Sequence, residues 1–129
     1  AHFMTKRFDR IKGQKLHVQS LCAMRHFDFS MIGYFAYEQV FETIRMLKLS
    51  ATASEQFYRR MVFNVVARNL DDHTKNIAFI MDKKGAWRLS PAFDVTYSYD
   101  PASVWVKQHN LSINGKTLEI TKDDLLKVG

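Results

Sequence analysis

The sequence predicts a mixed α+β fold, with helices that lead through a polar loop into short β-hairpins. Three observations carry this expectation. Phe57, Met61 and Val65 recur every four residues, the spacing of one buried helical face. Beyond Asn76 the pattern changes to a short apolar run, Ile77 to Met81, then Asp82-Lys83-Lys84-Gly85 and Trp87-Arg88-Leu89, which reads as strand, turn and strand. Farther on, Asn114-Gly115 stands between Leu111-Ser112-Ile113 and Leu118-Glu119-Ile120. That dipeptide accepts positive φ at both positions and so favours a tight hairpin turn.

In chain order, Val40, Phe41, Ile44 and Leu47 mark a helix from Tyr37 to Lys48. A second helix, Ser54 to Arg68, should lie largely buried beside it. Tyr58, Val62 and Val66 form its adjoining stripe, and Thr52 with Glu55 has capping-box spacing ahead of it. Thr121 and Asp124 make an acidic variant of the same box at the start of a final helix from Lys122. Met24, Met31, Met46 and Met61 are expected to fill the core. Phe93, Tyr97, Tyr99 and Trp105 are expected to pack as an aromatic cluster, and Cys22 to be a small buried side chain.

A chain of 129 residues has room for one domain and can bury about two-thirds of its unfolded surface. Its 47% hydrophobic and 25% charged residues fit a folded chain rather than a disordered one. No stretch approaches the roughly 20 apolar residues of a membrane span; even Met61 to Ala67 is broken by Asn64. A single cysteine cannot form an intramolecular disulfide, so the cytoplasm is the expected compartment. The net charge of +6 suits an anionic partner, but Arg59, Arg60, Arg68, Lys75, Lys83 and Lys84 are dispersed. A solvated basic surface is expected, not a nucleic-acid groove and not a membrane surface. His2, His17, His26 and His109 show no metal-ligand spacing with one another or with Cys22.

Between the second helix and the first hairpin runs Asn69-Leu70-Asp71-Asp72-His73-Thr74-Lys75-Asn76. Polar loops of this kind often only satisfy nearby backbone groups. Asp71 and Asn76, however, keep the five-residue interval of a protein-kinase catalytic loop. There a carboxylate accepts the proton of an attacking hydroxyl, and an amide oxygen one short loop further on holds magnesium. A second carboxylate beyond a following hairpin completes a hard, oxygen-only metal site, and Asp94 stands at that place. Asp72 competes with Asp71 as the base but breaks the interval, which leaves it a supporting role. His73 and Lys75 sit where positive charge steadies a transferring phosphoryl group, Lys75 being the better electrostatic candidate. A loop-ordering hydrogen bond is the plainer reading of His73.

Phe63-Asn64-Val65-Val66, Asp71 to Asn76, and Trp87 to Asp94 together resemble the signature of the HipA toxin kinases, and Arg7-Phe8-Asp9-Arg10 resembles that family's interlobe hinge. The resemblance implies the mainly helical C-terminal lobe of a protein-kinase or phosphoinositide-kinase-like fold. Residues 1–129 would form one lobe fragment, with its hinge at 3–10, catalytic loop at 69–76 and metal-binding segment at 89–95. It implies serine/threonine phosphorylation with ATP and Mg2+, Asp71 as base, and Asn76 and Asp94 as magnesium ligands. It also implies backbone contacts from Lys6 and Phe8 to adenine, with the Asp9 carboxylate near the ribose hydroxyls. The implied partners are a protein substrate, an N-terminal kinase lobe and a DNA-binding antitoxin.

Two departures set the chain apart from eukaryotic protein kinases: Val95 follows Asp94 where Phe-Gly is usual, and Asn69-Leu70 precedes Asp71 in place of His-Arg. The five glycines are scattered, with no phosphate-cradling loop and no strand carrying an ATP-anchoring lysine. Without these parts the chain alone is expected to be inactive, and both its ends read as cut points of a longer protein. Two other functions compete: a non-catalytic kinase-like module that docks an antitoxin, and a metal-dependent phosphoesterase using Asp71, Asp72, His73 and Asp94. The latter ranks last because it leaves the Asn76 interval unexplained.

Overall fold

The computed structural model describes residues 2–128; Ala1 and Gly129 lie outside the described residues. The chain opens with a small antiparallel pair, β1 (Arg10–Ile11) and β2 (Gln14–Lys15). Lys12 and Gly13 close it, both at positive φ (48° and 78°). Lys-Gly is a weak turn signal, and this hairpin was not legible in the sequence. β3 (His17–Ser20) follows and runs directly into α1 (Leu21–Arg25), where the Ser20 hydroxyl accepts from the Ala23 N–H.

α2 (Tyr37–Met46) and α3 (Ala51–Val66) are the two long helices. α2 begins where the Gln39 side chain accepts from the Ala36 N–H at 2.9 Å, and it ends before Lys48, which turns left-handed at φ 55°. α3 starts earlier than expected because Ser50, not Thr52, caps it, its hydroxyl accepting from the Ala53 N–H. The predicted Phe57, Met61, Val65 stripe does face the core. The helix is less buried than expected, for Phe63 is 54% and Val66 77% exposed.

The first predicted hairpin forms as β4 (Ala78–Met81) and β5 (Trp87–Leu89), with Phe79 opposite Leu89 and Met81 opposite Trp87. It belongs to a three-stranded antiparallel sheet in which β4 is central and β3 lies on its other side, Val18 opposite Ile80. The run Ala78-Phe79-Ile80 is buried, as a central strand requires. The core joins this sheet to the helices through Leu21, Val40, Ile44, Phe57, Met61 and Phe79. The Phe57 ring meets Tyr37 at 5.8 Å and Phe41 at 5.3 Å. Burying one such side chain contributes about 1.5–3 kcal/mol, which explains why the apolar stripes, more than helix propensity, fix the α2–α3 pairing.

The second predicted hairpin reduces to its turn. Asn114 and Gly115 have positive φ (50° and 77°), and Ile113 and Lys116 exchange backbone hydrogen bonds across them. No ladder follows, because Ser112 instead bonds Phe35 and Tyr37 through its backbone, and Glu119 is left-handed at φ 51°. The final helix α4 (Lys122–Val128) starts at the predicted cap: the Asp124 N–H donates to the Thr121 hydroxyl, and the Thr121 N–H donates to the Asp124 carboxylate at 2.9 Å. Met31 and Met46 are exposed rather than core, and Tyr97 and Trp105 are exposed rather than clustered. Cys22 is half-buried, its thiol donating to the Phe27 carbonyl at 3.1 Å. Among the described residues no helix is long and apolar enough to cross a membrane.

The Asp124 carboxylate is 3% exposed, and it accepts from the Lys116 ammonium and the Asn114 amide, both at 2.8 Å. Lys116 first, then Asn114 and Thr121, hold it below the usual carboxylate range. A depressed folded value gives stability that is present above the ordinary pKa of about 3.9 and is lost as pH falls below it. Asp124→Asn should therefore flatten the acid limb of stability, read as melting temperature between pH 5 and pH 2.

Candidate active site

The polar loop leaves α3 through Arg68, left-handed at φ 51°, and the Asn69 N–H returns to the Asn64 carbonyl at 2.9 Å. From there burial separates the two aspartates. Asp72 is 3% exposed, and its carboxylate accepts from the Tyr37 hydroxyl at 2.7 Å and the Asn110 N–H at 2.7 Å, with His109 Nδ1 at 2.8 Å. A carboxylate so fully used is a structural pivot, and it requires the His109 proton on Nδ1. Burial first, and then the Asp72 charge, push the Tyr37 hydroxyl well above its ordinary pKa, so it stays a donor. Asp71 differs: its side chain is 39% exposed, and its basic neighbour His73 Nε2 lies at 3.6 Å, beyond hydrogen-bond range.

Asn76 ends a single 3₁₀ turn, Thr74–Asn76. Its Nδ2 donates back to the Asp71 carbonyl at 3.0 Å. The amide thus closes the loop with its nitrogen, and its oxygen accepts no hydrogen bond among the described residues. Asp94 arrives from the far side. Beyond β5, the Ser90 N–H donates to the Ala78 carbonyl and Arg60 Nη2 donates to the Ser90 carbonyl at 2.7 Å. Phe93 packs on the Phe8 ring at 5.7 Å, and Asp94 itself is exposed and left-handed at φ 54°. Asn76 and Asp94 line one hollow of about 420 Å³, together with Asp72, Asn64, Phe57 and Arg60.

The other predicted residues do not line that hollow. Asp71 borders it only through its bond to Asn76. The Lys75 ammonium lies 3.1 Å from the centroid of the Phe29 ring, and the His73 ring meets Phe29 edge-on at 6.0 Å. His73 Nδ1 is buried without a partner among the described residues, so the expected loop-ordering bond is not formed by that atom. Lys6 is exposed in irregular chain. Asp9 is held by Arg7 and Arg10, and the hydrogen bonds from Arg7 lower its carboxyl to about 2. Phe8 packs on Phe93, which lines the hollow.

Sequence reasoning missed the network beneath the loop. The Asp71 N–H donates to Ser98 Oγ, Ser98 Oγ to Asn69 Oδ1, Asn69 Nδ2 to Asn64 Oδ1, Asn64 Nδ2 to Tyr37, and Tyr37 to Asp72. Every donor points the same way along this chain, an arrangement in which each bond polarises the next. The one signal in the sequence was Asn64, a polar residue inside an otherwise apolar helical run. Among the described residues there is no group of three or more His, Cys, Asp or Glu arranged to hold a metal ion. The Asn76 and Asp94 pair offers two hard oxygens, which fits a cation that takes its remaining ligands from water and phosphate.

The HipA-like C-terminal domain family matches residues 1–127. No curated protein matches the chain. Among solved structures, a chain of the Shewanella oneidensis toxin–antitoxin complex of HipA, HipB and operator DNA is similar, with a TM-score of 0.75 and 20% identity. The match covers 95% of the present chain and 34% of that one, so the present chain spans about a third of its length; at this identity the likeness is one of fold.

Proposed function

Because this chain belongs to the HipA-like C-terminal domain family, we propose that it is the catalytic lobe of an ATP- and magnesium-dependent serine/threonine protein kinase of toxin–antitoxin type. The observation that carries the reading is the Asn76 bond to the Asp71 carbonyl beside a hollow shared with Asp94. In this reading the Asp71 carboxylate, half-exposed and without a hydrogen bond among the described residues, accepts the proton of the attacking serine or threonine hydroxyl. The Asn76 oxygen and the Asp94 carboxylate would hold Mg2+, which when bound neutralises charge on the phosphates. Asp72 carries no proton in the reaction; it anchors the loop from below.

The remaining roles follow from the same reading. His73 and Lys75 steady the transferring phosphoryl group, which requires Lys75 to leave the Phe29 ring. Backbone groups of Lys6 and Phe8 face adenine, and Asp9 faces the ribose, where the sugar competes with Arg7 and Arg10. The kinase needs an N-terminal lobe for the phosphate loop and anchoring lysine that this sequence lacks, so residues 1–129 alone are inactive. Its other partners are a cytoplasmic protein substrate and a DNA-binding antitoxin. The likeness to a protein assembled with HipB and operator DNA also favours a second reading, a non-catalytic module that docks such an antitoxin.

The test is phosphate transfer from γ-labelled ATP by the full-length protein with magnesium. Wild type should become labelled or label a substrate, and Asp94→Ala should lose the signal. Equal labelling by Asp94→Ala overturns the site. Absence of labelling in wild type with intact antitoxin binding favours the docking module. Phosphate release from a model ester without ATP marks a phosphoesterase.

A further inference from the structure

We propose that Ser98 is a positioning residue that clasps the metal-binding segment to the loop carrying the base; this rests on the phosphotransfer reading above. Asp94 lies midway along the stretch from Ser90 to Ser98. At the near end Ser90 is fixed by its N–H to the Ala78 carbonyl and by Arg60 on its own carbonyl. Val95, Thr96 and Tyr97 are exposed. Among the described residues, the first tie from this stretch to another element after Asp94 is Ser98 itself.

That tie is threefold. The Ser98 N–H donates to the Arg68 carbonyl at 3.1 Å, its Oγ accepts from the Asp71 N–H at 3.0 Å, and its hydroxyl proton goes to Asn69 Oδ1 at 3.2 Å. The next residue, Tyr99, lies under the Arg68 guanidinium at 4.8 Å, a second pin at the same place. Accepting from one loop residue while donating to another is something a hydroxyl does and an alkyl group cannot. Without it, the Asp71 N–H and the Asn69 oxygen both lose their partner, and the directed chain down to Asp72 is cut at its upper end. The far end of the Asp94 segment is then tied only to Arg68, through the Ser98 N–H and the Tyr99 ring, and no longer to Asp71 or Asn69.

The experiment compares Ser98→Ala and Ser98→Thr in the full-length protein, reading Mn2+ affinity by electron spin resonance, kcat, and KM for ATP. Loss of the group that orients a metal ligand typically costs about 10–100-fold in metal affinity or activity. Ser98→Ala should show losses of that size in Mn2+ affinity and kcat while KM for ATP stays near wild type, and Ser98→Thr should restore both. Should Ser98→Ala fail to fold, Ser98→Cys is measured in its place, with the same losses expected at smaller size. Wild-type Mn2+ affinity and kcat in Ser98→Ala, or in Ser98→Cys where it stands in, overturn the proposal, as does a Ser98→Thr variant no better than Ser98→Ala. Asp94→Ala separates the two claims: if it binds Mn2+ like wild type, the phosphotransfer site falls and Ser98 with it. If Asp94→Ala loses Mn2+ and Ser98→Ala keeps it, only the Ser98 clasp fails.

Discussion

Asp71→Asn in the full-length protein should slow phosphate transfer by about 10²–10⁴-fold, the range a positioned general base contributes. The same substitution should leave the fold and the metal site nearly untouched. Among the described residues the Asp71 carboxylate makes no hydrogen bond, and its pairing with His73 at 3.6 Å is half-exposed, where such pairs contribute about 0–1 kcal/mol. Its backbone does the structural work through Asn76 and Ser98, and asparagine keeps that backbone. Melting temperature within about 2 °C of wild type, as expected for a surface change of at most about 0.5 kcal/mol, together with a collapsed kcat, is the expected pair of results. A kcat within about threefold of wild type, well below a general base's usual contribution, would remove Asp71 as the base.

Asp72→Ala should do the opposite. It deletes the acceptor of the Tyr37 hydroxyl, His109 Nδ1 and the Asn110 N–H inside a region that is almost fully buried. Leaving a buried donor without its acceptor costs about 1–3 kcal/mol, and three donors lose theirs here, so a loss of at least about 3 kcal/mol is expected. That is a large share of the roughly 5–15 kcal/mol that holds a domain of this kind together. Thermal or urea denaturation should show a drop in melting temperature on the order of 10–20 °C. Asp72→Asn should lose less, because an amide oxygen still accepts from one donor. A variant Asp72→Ala as stable as wild type would mean that the network beneath the loop is not what holds it.

Neighbouring aspartates with opposite fates show how much the sequence could disclose. The interval to Asn76 selected Asp71 as the expected base, and the two residues meet in a hydrogen bond from the Asn76 amide to the Asp71 backbone carbonyl, a contact between residues close in the chain. The α2 and α3 stripes, the β4–β5 hairpin and the Thr121–Asp124 cap were legible for the same reason: each is decided within a few residues. What escaped depends on distant partners. Ser112 is drawn from its own hairpin to Phe35 and Tyr37, and His109 finds Asp72 across a gap of 37 residues. Lys75 was placed near phosphate by its position in the loop, yet its ammonium rests on Phe29, an aromatic ring that no local pattern marks. The expected aromatic cluster failed similarly, since Phe93 found Phe8 and Tyr99 found Arg68.

Anomalous diffraction from crystals of the full-length protein with Mn2+ and a non-hydrolysable ATP analogue tests the site most directly. The expected result is a metal peak bound to both the Asn76 oxygen and the Asp94 carboxylate, at about the 2.0–2.1 Å of magnesium-type ligation. A nucleotide-associated metal peak that touches neither residue would contradict the account.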